Sequence, residues 1–302
     1  MAKKKRPSAT EELERREKIK RLVIIAMFSD DVLMERFVLK GGNALDLIHR
    51  ISTRASVDID LSIDGDFTSE ERHALDVRIG KALRDTFRPE GYQVFDVKVE
   101  ERPPGLTADL NDFWGGYKIE FKLIELARYE ELKEDVEALR RNAVQLGQGP
   151  KFLIDISKHE YTAGKAKFEL DGFVVFVYTP EMIVCEKLRA ICQQMPEYGP
   201  VVKRSRAGSP RARDFIDIHT LLSARNVDLT TKQNRELLAQ VFTSKRVKPS
   251  LLRKVGNYRE FHRTNYNAVA ATVKVGVTLK DFDFYVDFVI DLIEQLEPLG
   301  DE

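Results

Sequence analysis

The spacing of apolar positions in the first part of the chain predicts a helix, a short buried strand and an alternating strand. Ser8 and Glu11 have the spacing of a helix capping box, and the helix that they start is expected to run to about Phe28. A buried strand follows over 37–39 and ends at a pair of glycines, after which a helix begins. Over 57–63, apolar and polar residues alternate, as in a strand with one buried face.

The rest of the pattern is mixed up to residue 178 and helical beyond it. We predict helices over 69–87 and 130–141, and strands over 94–99, 117–124, 152–156 and 173–178. A capped helix is expected after Thr179, and the helical period continues to an apolar stripe over 280–297. This order predicts an α/β (α+β) protein, with a mixed sheet in residues 1–175 and a mainly helical unit in residues 176–302.

Composition excludes several classes of protein. The chain has 302 residues, of which 43% are hydrophobic and 32% charged, and its 49 basic residues balance 49 acidic ones. Any anionic partner must therefore be attracted by local patches of charge. Cys185 and Cys192 are seven positions apart on a predicted helix, which separates them by roughly 10 Å, too far for a disulfide. Since no apolar run could span a bilayer and no secretory signal is visible, we expect a cytoplasmic protein without a membrane partner.

The strongest chemical signal joins the Gly41-Gly42 turn to Asp58 and Asp60. Two carboxylates two positions apart on a strand share a face, with Cα atoms roughly 6.5–7 Å apart, so both can reach one hard cation or a pair. Without a cation they would repel by about 4 kcal/mol at a separation of about 4 Å and an effective dielectric constant near 20. The glycines let a phosphate approach the backbone, and the helix that starts at Asn43 directs free N–H groups to the same place. The segment is expected to bind a phosphate beside a metal ion.

These residues resemble the first motif of the AbiEii/AbiGii-type toxins, which include the MenT toxins and are a branch of the DNA polymerase β-like nucleotidyltransferases. The similar residues are the Gly41-Gly42 turn with Arg54, Ser56, Asp58 and Asp60. The second and third motifs follow in order, as Pro180-Glu181-Met182 leading to Glu186-Lys187-Leu188-Arg189-Ala190, and as Arg213-Asp214-Phe215-Ile216-Asp217. The resemblance covers about residues 37–222. The chain departs from the family in a longer segment between the last two motifs and in Asn43, where members often have Thr or Ser.

The resemblance implies a bilobed polymerase β-like fold and a role for each candidate site residue. Asp58 and Asp60 would hold Mg²⁺, and Lys187 and Asp214 would complete the catalytic site. The implied nucleotide-binding residues are Gly41, Gly42, Asn43, Ser56, Lys187 and Arg213. Residue chemistry leaves alternatives open, because Lys187 could be an exposed lysine on an ordinary charged helix face. Asp214 and Asp217 could equally be structural and pair with Arg211 or Arg213.

Polymerase β-like enzymes use a third carboxylate on a neighbouring strand. Asp155, within the predicted strand 152–156, is the preferred third metal ligand, and Glu120 is the alternative. A position on the surface of a strand explains either acid equally well.

Two basic stretches are candidates for binding RNA. Five Lys or Arg and no acid lie between Glu197 and Asp214, in a loop expected to close over the triphosphate or the acceptor. Residues 245–263 carry seven Lys or Arg, with Glu260 as the sole acid and aromatic residues interleaved. A solvated helix face explains this second stretch equally well. The five histidines are scattered and form no catalytic or metal-binding pattern.

The sequence therefore predicts an Mg²⁺-dependent nucleotidyltransferase that transfers a nucleoside monophosphate from a nucleoside triphosphate (NTP) to an RNA 3′ hydroxyl. The resemblance implies that the RNA is the tRNA acceptor end and that a separately encoded antitoxin is a partner. Transfer to a protein or a small molecule is an alternative, because one catalytic core serves several acceptors. A catalytically silent nucleic-acid-binding protein is a second alternative, although the presence of both acids and Lys187 argues against it.

Overall fold

The computed structural model of the chain describes residues 9–51, 58–145, 149–274, 276–297 and 299–300. Its strands are β1 Val38–Lys40, β2 Ile59–Ser62, β3 Tyr92–Arg102, β4 Gly116–Glu125, β5 Phe152–Ser157, β6 Ala166–Leu170 and β7 Phe173–Val177. They form one seven-stranded sheet in the order β3-β4-β5-β2-β1-β7-β6. The β1–β7 and β2–β5 pairs are parallel and the other neighbours are antiparallel. The predicted mixed α/β fold is confirmed.

Helices precede, connect and follow the strands. Before Pro180 these are α1 Ala9–Phe28, α2 Asp31–Arg36, α3 Gly41–Asn43, α4 Ser69–Phe87, α5 Ala108–Asn111, α6 Leu126–Leu132 and α7 Val136–Arg141, and the π-helix Ala44–Ile48 continues α3. The later helices are α8 Pro180–Cys192, α9 Ala212–Ala224, α10 Lys232–Thr243, α11 Arg259–Arg263, α12 Tyr266–Ala270 and α13 Phe282–Gln295, with 3₁₀ helices at Pro196–Val202 and Pro249–Tyr258. None of the helices in the described ranges combines the length and the apolar character that crossing a bilayer requires.

The apolar half of the alternating strand β2 packs against the first helices. α1 contacts α4, β2 and β7, and α4 contacts β3. Ile59 and Leu61 of β2 are 2% and 0% exposed, whereas the side chain of Asp60 between them points to the opposite face of the sheet. Burial of one face thus leaves the other face of β2 available for polar chemistry.

The helix α8 lies among the other helices of the C-terminal half and is buried on most sides. Thr179 caps its first turn by accepting a hydrogen bond from the backbone N–H of Met182 (3.3 Å). α9, α10 and the 3₁₀ helix Pro249–Tyr258 pack around α8, and α13 packs on α9. One continuous cluster of buried side chains joins these helices to the sheet. The predicted division after residue 175 falls inside β7 and stays a prediction.

The structure differs from the predicted elements at three places. The helix expected over 130–141 is two helices, because Asp135 interrupts it and caps α7 by accepting a hydrogen bond from the N–H of Ala138 (2.9 Å). Strand β6 was not predicted, since three of its five residues are exposed and its pattern is short. Strand β2 begins at Ile59, so Asp58 lies just before the strand and not within it. Ser8 of the expected capping box lies outside the described residues.

Candidate functional site

Strand register aligns four charged residues across one face of the sheet. Lys40 of β1 pairs with Asp60 of β2, and Asp60 pairs in turn with Asp155 of β5. Asp155 is paired on its other side with Lys118 of β4. Because neighbouring strands are about 4.8 Å apart, Asp60 and Asp155 are adjacent side chains on the same face. The structure thus brings together two acids that are far apart in the sequence.

These two acids line a cleft of about 530 Å³ to which both the sheet and the later helices contribute. Of the described residues of the three sequence motifs, those that line the cleft are Gly41, Gly42, Asp60, Glu186, Lys187, Arg189, Ala190, Arg213 and Asp214. Asp58, a predicted metal ligand, is not among the residues that line it. Segments that are more than 170 positions apart in the chain therefore meet at one concave surface, which is where a small-molecule substrate is most commonly bound.

The glycine turn contacts the carboxylate of Asp60 directly. Gly41 has a φ of +67°, a conformation that residues with a side chain rarely adopt, and a Cβ at this position would overlap the Asp60 carboxylate. Glycine is required at position 41 both for its backbone conformation and for its contact with Asp60. The turn and the acid therefore form one unit, as the sequence motif implies.

Asn43 has a different environment from the one expected for a phosphate ligand. Its side chain is fully buried, and its Nδ2 donates a hydrogen bond to the backbone carbonyl of Asp58. This bond joins the beginning and the end of the segment between the turn and β2, and it fixes the backbone of Asp58, whose side chain is exposed. The predicted nucleotide contact of Asn43 stays a prediction. Ser56 and Arg54, predicted in the same motif, lie outside the described residues.

Two acids of the cleft have raised pKa values, chiefly because they are buried. Burial is the largest cause that raises the pKa of Asp60, to about 6, and the positive charge of Lys40 opposes this rise. The negative charges of Glu186, Asp155 and Asp58 raise the pKa further. Burial and the charge of Asp58 also raise the pKa of Asp155. A divalent cation would offset this charge, and Mg²⁺ is commonly held by one or two carboxylates together with water and phosphate oxygens. The donor set therefore fits Mg²⁺, although in the described ranges no three His, Cys, Asp or Glu side chains are arranged to hold a metal ion by themselves.

Glu120, the alternative third carboxylate, is already paired with lysines. It lies 2.8 Å from Lys118 and 2.8 Å from Lys151, and hydrogen bonds from these two lysines lower its pKa to about 2. Asp155 lines the cleft, whereas the charge of Glu120 is compensated by Lys118 of its own strand and by Lys151. The geometry favours Asp155 of the two.

A group of buried charges next to the cleft was not predicted. The Nζ of Lys40 donates hydrogen bonds to Ser157 Oγ and Glu186 Oε1, both at 3.1 Å, and lies 3.6 Å from Glu160 Oε1. Arg189 donates two hydrogen bonds to Glu160, at 2.7 and 3.2 Å. Burial opposes the charge of Lys40, but Glu186 and Glu160 outweigh it and hold the pKa of Lys40 above its ordinary value. The ammonium group beside Asp60 therefore stays charged.

The alternative that α8 presents an ordinary charged face to solvent is wrong. Lys187 and Arg189 are 4% and 3% exposed, because helices pack around α8 where a surface helix would face water. The sequence did contain a signal for this burial, since these charges interrupt an otherwise apolar helix. Lys40 likewise ends a strand that is otherwise apolar. Charged residues in apolar segments of this kind are buried only when they are paired.

Lys187 connects the second motif to the third. Its Nζ donates hydrogen bonds to Asp214 Oδ1 (2.9 Å) and Asp217 Oδ2 (2.7 Å). Burial disfavours the charge of Lys187, but the two carboxylates outweigh it and raise its pKa. Arg211 lies 2.7 Å from Asp214 on the side facing the cleft, and Arg213 is exposed at the cleft. A cluster of two acids and two cations thus forms one wall of the cleft.

The basic stretch over 245–263 does not form an open cationic surface. Lys245 is 3% exposed, and four of the other six cations are paired with acids: Arg253 with Glu297, Lys254 with Glu197, Arg259 with Asp283 and Asp287, and Arg263 with Glu260 and Asp283. The remaining two, Arg246 and Lys248, are exposed. An ion-paired helix face describes this stretch better than an RNA-binding patch. In the loop that joins the last two motifs, Arg211 and Arg213 line the cleft, whereas Lys203 pairs with Asp109 (2.7 Å).

Comparison with known proteins gives a match over most of the chain. A family model described as a nucleotidyl transferase AbiEii toxin of a type IV toxin–antitoxin system matches residues 23–288. No curated protein matches the chain.

Three solved structures align with the chain at low sequence identity. JHP933 from Helicobacter pylori aligns over 96% of this chain and 95% of its own, with 18% identity and a TM-score of 0.47. A candidate nucleotidyltransferase from Helicobacter pylori aligns over 97% and 99%, with 16% identity and a TM-score of 0.48. An antigenic nucleotidyltransferase-like protein from Paracoccidioides brasiliensis aligns over 85% and 94%, with 14% identity and a TM-score of 0.34.

Proposed function

Because the chain belongs to the AbiEii nucleotidyl transferase toxin family, we propose that it transfers a nucleoside monophosphate from an NTP to the 3′ hydroxyl of an RNA, with the tRNA acceptor end as substrate and Mg²⁺ as metal. The observation that carries this proposal is that residues of all three motifs line a single cleft, where Asp60 is adjacent to Asp155 across the sheet. The members of a toxin–antitoxin family act with an antitoxin, and a nucleotide is the substrate that the family name implies.

The reaction forms a bond between the RNA 3′ oxygen and the α-phosphorus of the NTP. The bond from the α-phosphorus to the bridging oxygen breaks, pyrophosphate leaves with that oxygen, and the hydroxyl proton passes to water. Asp58, Asp60 and Asp155 are the residues that would hold Mg²⁺, which when bound favours ionisation of the hydroxyl and neutralises charge on the phosphates. The chain itself supplies Gly41 and Gly42 for the close approach of phosphate to the backbone.

The cations of the cleft would orient the triphosphate. Arg213 is exposed at the cleft and carries a planar guanidinium suited to two phosphate oxygens. Lys40 remains charged beside Asp60 because Glu186 and Glu160 stabilise its ammonium group. Asp214 would hold Arg211 at the cleft through their ion pair, and Lys187 would fix the position of Asp214.

We also propose the setting in which this reaction takes place. Both cysteines are free thiols, which is compatible with a reducing cytoplasm where NTPs and tRNA are available. Residues 1–175 would supply the metal ligands, and residues 176–302 would supply the cations and the second wall of the cleft. The antitoxin is expected to be a separately encoded protein.

The test is incubation of the purified protein with each labelled NTP, Mg²⁺ and total tRNA. Asp60→Asn removes the charge of a predicted metal ligand while keeping its shape, and Asp64→Asn removes an exposed carboxylate four positions away as a matched control. We expect label on tRNA with the wild-type chain and with Asp64→Asn, and a loss of at least 100-fold with Asp60→Asn.

The other outcomes separate the alternatives. Label on the protein itself, or on a small molecule, would replace RNA as the acceptor. If no label appears on tRNA, on protein or on a small molecule with any NTP, the result would support a silent nucleic-acid-binding protein. A filter-binding assay with the same tRNA would then detect the binding.

A further inference from the structure

The end of the cleft away from the glycine turn contains an aromatic ring that the reaction described above does not use. Trp114 is the one tryptophan in the chain, and it lies between α5 and β4. Its side chain is half-buried and lines the cleft together with Gly115 and Gly116. Within the described residues its indole N–H has no hydrogen-bond acceptor from the protein. A partly covered aromatic ring that lines a polar cleft offers an apolar surface to a ligand in that cleft.

The ring is held in a fixed position. The Tyr198 ring packs against it with a centroid distance of 6.0 Å, and the Lys245 Nζ lies 5.7 Å from its centroid. Lys245 is itself fixed by hydrogen bonds from its Nζ to the backbone carbonyls of Phe113 (3.3 Å) and Lys158. Gly115 then turns the chain with a φ of +105°, where a Cβ would overlap Leu106. Packing of Tyr198 and Lys245 against the ring thus fixes its orientation beside the cleft.

The segment that carries the ring lies at a distance from Asp60 that is comparable to the length of a nucleotide. Gly116, two residues after Trp114, pairs with Ser157, and Ser157 accepts the hydrogen bond from Lys40. Asp60 lies two strands and two residues away from Gly116, which corresponds to roughly 12 Å between their Cα atoms. A nucleotide extends over a distance of this order between its phosphates and the far edge of its base.

We propose that Trp114 is a stacking platform for a nucleobase, either of the incoming NTP or of the terminal residue of the RNA acceptor. This inference rests on the proposed nucleotidyl transfer and adds to it the group that binds a base. Indole rings stack on every base, so Trp114 would contribute affinity for nucleotides with little selection among the four bases. Selection would then come from the polar groups around the ring.

The single tryptophan allows a direct test by fluorescence, without turnover. Each of the four NTPs is titrated with Mg²⁺ into the wild-type chain, in parallel with tripolyphosphate, which has the same phosphates and no base, and with a short RNA ending in CCA. We expect saturable quenching of tryptophan fluorescence by the ligand whose base stacks, and little change with tripolyphosphate. Quenching by NTP alone assigns the platform to the nucleotide, and quenching by the RNA alone assigns it to the acceptor.

Variants test the same contact in the transfer assay. Trp114→Ala is expected to raise the KM for the ligand identified by quenching by about 5- to 150-fold, with a smaller effect on kcat, and Trp114→Phe is expected to keep most of the affinity. Phe168→Ala removes an exposed aromatic ring outside the cleft as a control. Thermal unfolding of each variant checks that the fold is intact.

Two results would overturn the inference. One is a fluorescence change that is no larger with any NTP or with the RNA than with tripolyphosphate, and the other is an unchanged KM for both substrates in Trp114→Ala. Either result with normal transfer to tRNA by the wild-type chain would reject the stacking platform and leave the proposed function standing. Base-dependent quenching without transfer to any acceptor would instead retain the platform and reject the transferase.

Discussion

The contact between Gly41 and Asp60 gives a sharp prediction, because the chain contains a matched control for it. Gly41 and Gly65 have nearly the same backbone conformation, with φ of +67° and +68°. A Cβ at Gly65 would meet no atom within 4 Å, whereas a Cβ at Gly41 would overlap the Asp60 carboxylate. Alanine in this left-handed conformation costs about 1–2 kcal/mol at either position. The two substitutions therefore share the backbone strain and differ only in the contact with Asp60.

The expected effects follow from that difference. To reach an ordinary van der Waals separation from a new methyl group, the Asp60 carboxylate must move by about 1 Å. A displacement of about 1 Å at a reacting centre can lower the rate by about 100-fold. We expect Gly65→Ala to lose about 1–2 kcal/mol in the free energy of unfolding with nearly normal transfer. Gly41→Ala should lose at least as much stability and, in addition, about 100-fold or more in kcat.

Urea denaturation and the transfer assay on both variants measure these two quantities separately. If Gly41→Ala is as active as Gly65→Ala, the position of the Asp60 carboxylate does not matter for the reaction, and the metal site is not at the glycine turn. If both variants lose activity equally, the loss comes from backbone strain and not from the contact.

Three further predictions concern buried ionisable groups. The pKa of Asp60 is raised from 3.8 to about 6, so its stabilising contribution is present below pH 4 and lost as pH rises through 6. Asp60→Asn should therefore have a higher free energy of unfolding than the wild type, by up to about 3 kcal/mol at pH 8. In urea denaturation this difference should disappear near pH 4. Glu160→Gln should lower the free energy of unfolding by about 3–5 kcal/mol, because the buried cations Lys40, Arg189 and Lys245 lose the carboxylate that they share. Glu169→Gln, at an exposed position, should change it by less than about 0.5 kcal/mol. Burial lowers the pKa of His262 from 6.5 to about 4, so its stabilising contribution is present above pH 6.5 and lost as pH falls through 4. Between pH 7.5 and 4.5, the urea midpoint of His262→Gln should fall less steeply than that of the wild type. Identical slopes for the two proteins would contradict this.

The local chemistry of the glycine turn was determined by the sequence alone. A buried strand, two glycines and an alternating strand are short-range patterns, and the structure has each of them in the predicted order, with Asp60 inside the second strand and Asp58 just before it. Asp60 lies on the polar face because the period of a strand is two residues and Ile59 and Leu61 occupy the buried face. The capped start of α8 is equally local, since Thr179 and Pro180 act within one turn.

Only the tertiary structure decided which charges are paired and which remain at the cleft. Asp155 is next to Asp60 because β5 pairs in parallel with β2, and a parallel pairing between distant strands leaves no mark in local periodicity. The sequence left open whether the charges of α8 form a solvated face. In the structure Glu160, 29 positions before Arg189, and Asp214, 27 positions after Lys187, neutralise them in the core. Whether a charged residue lies in water or in the interior depends on partners from other segments. The sequence therefore determined the local elements and the chemistry they carry, while long-range packing determined the environment of each charge.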